Sequence, residues 1–434
     1  MPARTGVVVF EGGHRNLTGA RALFARVRRW TTLDTLEKFM ARPEVDVVVL
    51  ATDSTSLAAE ARKVGAEVAV TGPDFHFGRV LSALVRDHRL ERVTFLGGGS
   101  VPLLRPEELS SLFELATPGE RVLVSNNVQS PDVLALGTVR DLDLLARAAT
   151  DNGALFALCD AGYERRLLPD TSTTGFDLDT PSDILFLAYE ARRRRDRRAG
   201  PSTGSPPGRE GARPPTPAPA LLGPRAAAGL AGLDLDLSVL ERAVEVLAGD
   251  YLTVTLIGRV SGGTMNHLNA NLHVRLRVFS EERGMKALGL IDRGEVKSLI
   301  GAVLQDMGLE YLVKRLQEMS DAVFWDTRVV MAHLGRWPAE DDRFEADLGR
   351  WDEVKDPELR RLTRVVRETR VPVVVGGHSV VSGGLRLLVD GLLEEGRAPP
   401  AVSGRARRRE SAPGGPCAPQ SLAADRPEED NGRP

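Results

Sequence analysis

Cysteine is almost missing. Cys159 and Cys417 are the only two in 434 residues, which excludes a disulfide framework and a zinc site built on several thiolates. A reducing cytoplasm fits that scarcity. Long apolar runs are missing too. None reaches the length of a bilayer-spanning helix, so no membrane partner is expected. Residues 1–5 lead directly into a strand pattern, and no signal peptide is expected. A strong charge balance is also lacking. The net charge of −3 gives no global pull toward nucleic acid, which is not expected as a partner. Lysine is scarce beside arginine, while alanine, glycine and proline abound. We read that as coding bias before chemistry, so a single arginine cluster carries little weight.

What is present is ordinary for a soluble globular chain, with 42% hydrophobic and 27% charged residues. The length suggests two to three domains. Compositional shifts place a first domain at 1–192 and a disordered Arg/Pro/Gly-rich linker at 193–234. A second, helix-rich α/β domain follows at 235–397, and then a disordered tail at 398–434. The basic run 192–198 reads as a solvated helix end.

In the first domain apolar β-branched runs alternate with amphipathic segments. Strands are expected at 6–10, 45–51, 67–70, 92–96 and 121–125, and helices at 31–41, 56–64, 77–88 and 106–115. That alternation predicts a three-layer α/β/α sandwich on a mostly parallel sheet. Ligands of such sheets bind beyond the carboxyl ends of the strands. Three loops therefore become neighbours. The first is Glu11-Gly12-Gly13-His14-Arg15-Asn16, and the second Gly97-Gly98-Gly99-Ser100-Val101-Pro102-Leu103-Leu104. The third is Asn126-Asn127-Val128-Gln129-Ser130-Pro131-Asp132. Paired glycines after a strand let the backbone approach a phosphate, or simply make a turn. Asn126 and Asn127 read equally as acceptor-orienting amides or as a side-chain-bonded turn, with Asp132 alongside. Asp151-Asn152-Gly153 reads as a turn.

The run Phe176-Asp177-Leu178-Asp179-Thr180-Pro181-Ser182-Asp183 ends the first domain. Alternation places Asp177 and Asp179 on one face. Thr180 and Pro181 then start a helix as N-cap and first helical residue. Two carboxylates beside a helix start offer a seat for Mg²⁺, or simply precede a capped helix.

Together these motifs resemble the MobA-like nucleotidyltransferases, which have a GT-A-type fold. The resemblance covers about residues 6–190. It implies transfer of NMP from an NTP, CTP or GTP, to a small phosphorylated or hydroxylated acceptor, with Mg²⁺ and release of pyrophosphate. It implies Asp177 and Asp179 as catalytic metal ligands, and Gly12, Gly13, Arg15, Gly97 and Gly98 as nucleotide-binding residues. Asn126, Asn127 and Asp132 fall on the acceptor side. The family's phosphate-binding Lys corresponds best to Arg21, a third catalytic candidate. The match departs from the pattern twice. Glu11 stands where the first loop usually has a small residue, and 97–104 lacks the acid that normally helps to hold the metal.

The second domain resembles no family known to us. Strands are expected at 252–260, 274–279 and 371–375, and helices at 235–248, 293–307, 310–331, 357–368 and 385–393. Met265 opens a helix or a tight loop. The loop Gly376-Gly377-His378-Ser379 is a candidate ligand loop between strand and helix, and Ser261-Gly262-Gly263-Thr264 a similar one. Two functional classes follow. One is a Mg²⁺-dependent nucleotidyltransferase acting on an NTP and a small-molecule acceptor. The other is a degenerate nucleotide- or sugar-nucleotide-binding regulatory protein. A weaker third reading puts a separate transferase or hydrolase site at 376–384. A homodimer is left open.

Overall fold

The structure is a computed structural model that describes residues 3–13, 17–128, 130–198 and 221–398. Arg15, Gln129, most of the expected linker and the tail from 399 onward lie outside the described residues.

The first seven strands are β1 (Thr5–Phe10), β2 (Val47–Thr52), β3 (Glu67–Val70), β4 (Arg92–Gly97), β5 (Val122–Ser125), β6 (Val133–Leu136) and β7 (Glu164–Leu167). They form one sheet in the order β3-β2-β1-β4-β6-β5-β7. Only β6 runs antiparallel to its neighbours. Val7 and Val9 point to one face, where Leu33, Leu36, Leu109 and Leu112 cover them. Val8 points to the other, against Leu81, Leu84, Leu155 and Leu158. The period-2 pleat thus feeds two helical layers, and the expected α/β/α architecture is present.

A second, fully parallel sheet holds β8 (Thr253–Gly258), β9 (Arg275–Ser280), β10 (Ala322–Asp326) and β11 (Val373–Gly376), in the order β11-β10-β8-β9. Each sheet reverses its winding once. The reversal lies between β1 and β4 in the first sheet and between β8 and β10 in the second. Ligand crevices are expected outside the carboxyl ends at those points.

Several sequence expectations change. The helix expected at 31–41 begins earlier and runs over Gly19–Met40, so Arg21 sits in its first turn. Asp151 starts a helix, Asp151–Asp160, because Thr150 Oγ1 accepts the Gly153 N–H at 3.1 Å. The long helix expected at 310–331 is three elements: Leu309–Met319, β10 and Thr327–His333. Ala322–Asp326 is wholly buried, and a short apolar run carries no periodicity that separates strand from helix.

Both ends of the expected linker are ordered. Helix Pro181–Arg198 continues past 192, and Pro224–Ala231 is a helix pinned by Arg225 to Asp34 and Glu37. The basic run is not simply solvated. Arg193 is buried among Glu190, Glu394 and Glu395 at 2.6–3.3 Å, because the last helix, Gly383–Glu394, brings acids to it. One apolar core also crosses the expected boundary at 193–234. It joins Leu23, Phe24, Phe176, Leu178 and Phe186 to Leu240, Val254, Phe324, Leu385 and Leu388. All described residues accordingly fall in one compact unit.

Candidate active site

The 176–183 segment lies where the two halves meet. Leu178 N–H donates to Gly99 O at 3.1 Å, which fixes the segment beside the carboxyl end of β4. Phe176 and Leu178 are fully buried anchors. Alternation then turns Asp177 and Asp179 the other way. Asp179 is exposed and Asp177 half-buried, so the pair lines an open depression. Asp183, in the first turn of the next helix, accepts the N–H groups of Asp179 and Thr180 at 2.7 and 2.6 Å.

Asp132 joins them. Asn126 Nδ2 donates to Asp132 Oδ2 at 2.6 Å and to Thr174 O at 2.8 Å, and so ties the 126–132 loop to the acidic segment. Burial pushes the Asp132 carboxyl up to about 7, with Asp179 and Asp151 adding repulsion. Burial also raises Asp177 well above the carboxylate range, helped by Asp179 and Asp132 and opposed by Arg28. Asp183 rises to about 7, again through burial and then Asp179. This is a concentration of negative charge short of cations. It is not a closed metal cage, because among the described residues no group of three or more His, Cys, Asp or Glu is arranged to hold a metal by itself. A hard cation that shares its ligands with phosphates and water would fit such a donor set.

The balancing cation is Arg28, which the sequence reading missed. Its Nε and Nη2 bond Glu11 at 2.7–3.2 Å, and its Nη1 donates to Leu178 O at 2.9 Å. Burial alone would lower its pKa, but Glu11, then Asp177 and Asp179, more than offset this. Glu11, the departure noted in the first loop, is therefore the anchor of this arginine. Its spacing of 17 residues from Arg28 carries no local signal.

The predicted nucleotide residues divide. Gly13 is exposed at φ 81°, and its N–H donates to Asp53 Oδ1 at 3.0 Å. A Cβ on Gly12 would lie 2.7 Å from that same carboxylate. Both glycines are exposed at the crevice, with the Gly13 amide already held by Asp53. Gly98 instead spends its N–H on Phe10 O at 2.8 Å. Its missing Cβ makes room for Glu11, whose carboxylate would be 2.4 Å away. Gly97 precedes it at the end of β4 and faces Ser100 Oγ. Asn127 turns its own loop, with its Oδ1 accepting the Ser130 N–H at 3.4 Å.

Arg21 is not beside the acids. It pairs with Glu340 at 3.1 Å and Asp341 at 3.4 Å, on helix Glu340–Asp347 of the second half. Glu345 of the same helix accepts the Ala20 N–H at 2.6 Å. The amino end of helix Gly19–Met40 is thus satisfied by a carboxylate. The arginine that reaches the acidic segment is Arg28, through Leu178 O.

The predicted second-domain loop is not a separate site. Gly377 N–H donates to Ser182 Oγ at 3.1 Å, and Ser379 Oγ donates to Asp177 O at 3.4 Å. A Cβ on Gly376 would lie 2.4 Å from Ser182 Cβ, so close approach explains the glycines. His378 Nε2 lies 3.1 Å from Arg259 O. A carbonyl only accepts, so Nε2 carries the proton and Nδ1 is bare. Desolvation, then Arg259, lowers this imidazole although the residue is exposed at the surface, and it stays neutral at pH 7. Arg259 forks onto Asp326 at 2.6 and 3.2 Å. Burial would raise Asp326, but Arg259 holds it below the usual carboxylate range. Asp179 and Asp183 add to the field at Arg259.

No family model and no curated protein matches the chain. Among solved structures, the chain is similar to a CMP-2-keto-3-deoxy-manno-octonic acid synthetase in complex with CTP. That likeness has 16% identity over 38% of this chain and 89% of the other, with a TM-score of 0.28. A cytidylyltransferase from Leptospira borgpetersenii shows 14% identity over 44% of this chain and 86% of its own, with a TM-score of 0.33. A manganese complex of a Mycobacterium tuberculosis protein shows 22% identity over 38% of this chain and 87% of its own, with a TM-score of 0.27. Among the described residues no helix is long and apolar enough to cross a membrane.

Proposed function

We propose that the chain is a MobA-like nucleotidyltransferase that transfers NMP from CTP or GTP to a small phosphorylated or hydroxylated acceptor. The observation that carries this is the convergence of Asp132, Asp177 and Asp179 in an open depression at the β1/β4 crevice, backed by Arg28. In this reading Gly12 presents backbone to the triphosphate, and Gly13 turns the loop with its N–H on Asp53. Arg28 holds the Asp177–Asp179 segment in place and offsets its charge. Mg²⁺, held by Asp177 and Asp179 with Asp132 nearby, would neutralise charge at the α-phosphate. The acceptor oxygen attacks the α-phosphorus, the bond to the β-phosphate oxygen breaks, and pyrophosphate leaves. The neutral His378 and Arg259 face the depression from the second half and would border the acceptor. Positioning and charge neutralisation then supply most of the rate.

A specific contact favours the second reading, a nucleotide-binding protein without chemistry. Glu340, Asp341 and Glu345 occupy Arg21 and the amino end of helix Gly19–Met40. The 97–104 loop also carries no acid. Purified protein supplied with Mg²⁺, CTP or GTP and an acceptor extract separates the readings. Pyrophosphate release that disappears in Asp177→Ala/Asp179→Ala supports the transferase. Metal-dependent NTP binding without release supports the binding protein.

A further inference from the structure

At the opposite edge of the second sheet lies a groove of about 710 Å³. It passes the amino ends of all four strands, touching Thr253, Arg275, Asp321 and Pro372. Four strands about 4.8 Å apart make it roughly 14 Å long.

Four guanidiniums line this groove, those of Arg242, Arg275, Arg277 and Arg370. All four residues are exposed. Two are steered by backbone rather than by acids. Arg242 Nη1 donates to Arg370 O at 3.1 Å, and Arg277 Nε to Met319 O at 3.2 Å. Among the described residues, nothing takes their remaining N–H groups. Some arginines of this chain are closely paired, as at Arg28, Arg193 and Arg259. Here, among the described residues, none of the four pairs with a carboxylate, and the two acids in the groove are engaged. Glu318 is taken by Arg315 at 2.6 Å, and Asp321 accepts the Thr253 N–H at 2.7 Å.

Guarding an edge strand against pairing would account for Arg275 and Arg277, which share one face of β9. It does not account for Arg242, on helix Ser238–Leu247, or for Arg370, beside the opposite edge at β11. Arginine's planar fork matches phosphate oxygens in pairs. A cavity of this size takes a small molecule. We propose that the groove binds a small molecule carrying a chain of phosphate groups, at a site separate from the acidic depression. This does not rest on the transferase reading, because the two sites lie at opposite ends of the sheet.

The test is calorimetry of the full chain with sodium tripolyphosphate in metal-free buffer. One equivalent should bind. Arg275→Gln/Arg277→Gln should weaken it by at least about tenfold, and Asp177→Asn/Asp179→Asn should leave it unchanged. If the first variant misfolds by circular dichroism, Arg242→Gln/Arg370→Gln reads the same site from a helix and the other edge. CTP and GTP identify the source of the phosphates. Tighter binding than tripolyphosphate assigns a nucleotide, and equal binding assigns the phosphate chain alone. The proposal is overturned if tripolyphosphate does not bind, or if binding survives both arginine variants. It is also overturned if binding is lost in the aspartate variant instead, or if single-stranded RNA binds far more tightly than any of these ligands.

Discussion

The two sheets place the same device at the same topological point and use it differently. Where the first winding reverses, Glu11 after β1 is paired with Arg28. Where the second reverses, Asp326 at the end of β10 is paired with Arg259 after β8. In the first case the arginine comes from a helix, and Gly12-Gly13 leaves the crevice open. In the second both partners come from strand ends, and the 177–183 segment and Gly376-Gly377 sit against that end. A crevice at a winding reversal is therefore only an opportunity. The chain that crosses it decides whether it receives a ligand or serves as packing. Here the second sheet supplies one wall of the depression that the first leaves open.

The largest break in this comparison is to separate the halves. Residues 1–198 alone would expose Leu23, Phe24, Phe176 and Phe186, which share a core with Leu240 and Leu385. That fragment should lack a cooperative thermal transition and bind a hydrophobic dye. A sharp calorimetric unfolding peak would show that the first half stands alone.

Next comes the closed crevice. Asp326→Ala leaves the largely buried guanidinium of Arg259 without its fork partner. It should cost about 3 kcal/mol in urea unfolding, and Asp326→Leu/Arg259→Met should recover much of this. A cost below about 1 kcal/mol would mean that the pair is solvated and the crevice open.

Glycine substitutions should sharpen the contrast within the first crevice. Gly98→Ala sets a methyl 2.3 Å from Thr32 Oγ1 and 2.4 Å from Glu11 Oε2. It should cost roughly 1–3 kcal/mol. Gly12→Ala meets chiefly the movable Asp53 carboxylate, and should change stability much less while weakening nucleotide binding. Equal stability losses would contradict the division between a packed and an open glycine loop.

The smallest effect depends on pH. Asp132 is raised to about 7 by burial and by its acidic neighbours. A carboxyl raised on folding is favourable while protonated, below its unfolded value near 4, and loses that benefit as pH rises toward 7. Asp132→Asn should therefore stabilise the metal-free protein at pH 8, by roughly 1 kcal/mol after allowance for solvent contact, and do little at pH 4. Mg²⁺ should stabilise the wild type at pH 8 more than this variant. The opposite pH order in thermal melts would count against a strained acidic cluster.

What was legible in the sequence follows from locality. The βα alternation of 6–125 is a periodic signal, and the strands there lie where the patterns put them. The pairing of Asp177 with Asp179 is two residues wide and needs only the pleat. Arg28 was illegible because its partners, Glu11 and Leu178, are 17 and 150 residues away. Arg21 looked right by motif position. Its local sequence says nothing of the acids at 340–345 that meet it. Ala322–Asp326 was misread because a five-residue buried strand lacks a period. With β10 lost, the Asp326–Arg259 pair could not be foreseen. The Gly376–Ser379 loop was found as a loop, but its occupant, Ser182, came only from tertiary contact.

The most direct test is calorimetric titration of the intact chain with each of the four NTPs, with and without Mg²⁺, in a background of Arg275→Gln/Arg277→Gln that silences the distal groove. The account predicts binding of CTP or GTP that requires Mg²⁺ and is lost in Asp177→Ala/Asp179→Ala. Absence of any NTP binding with the metal present, or binding indifferent to both aspartates, would contradict it.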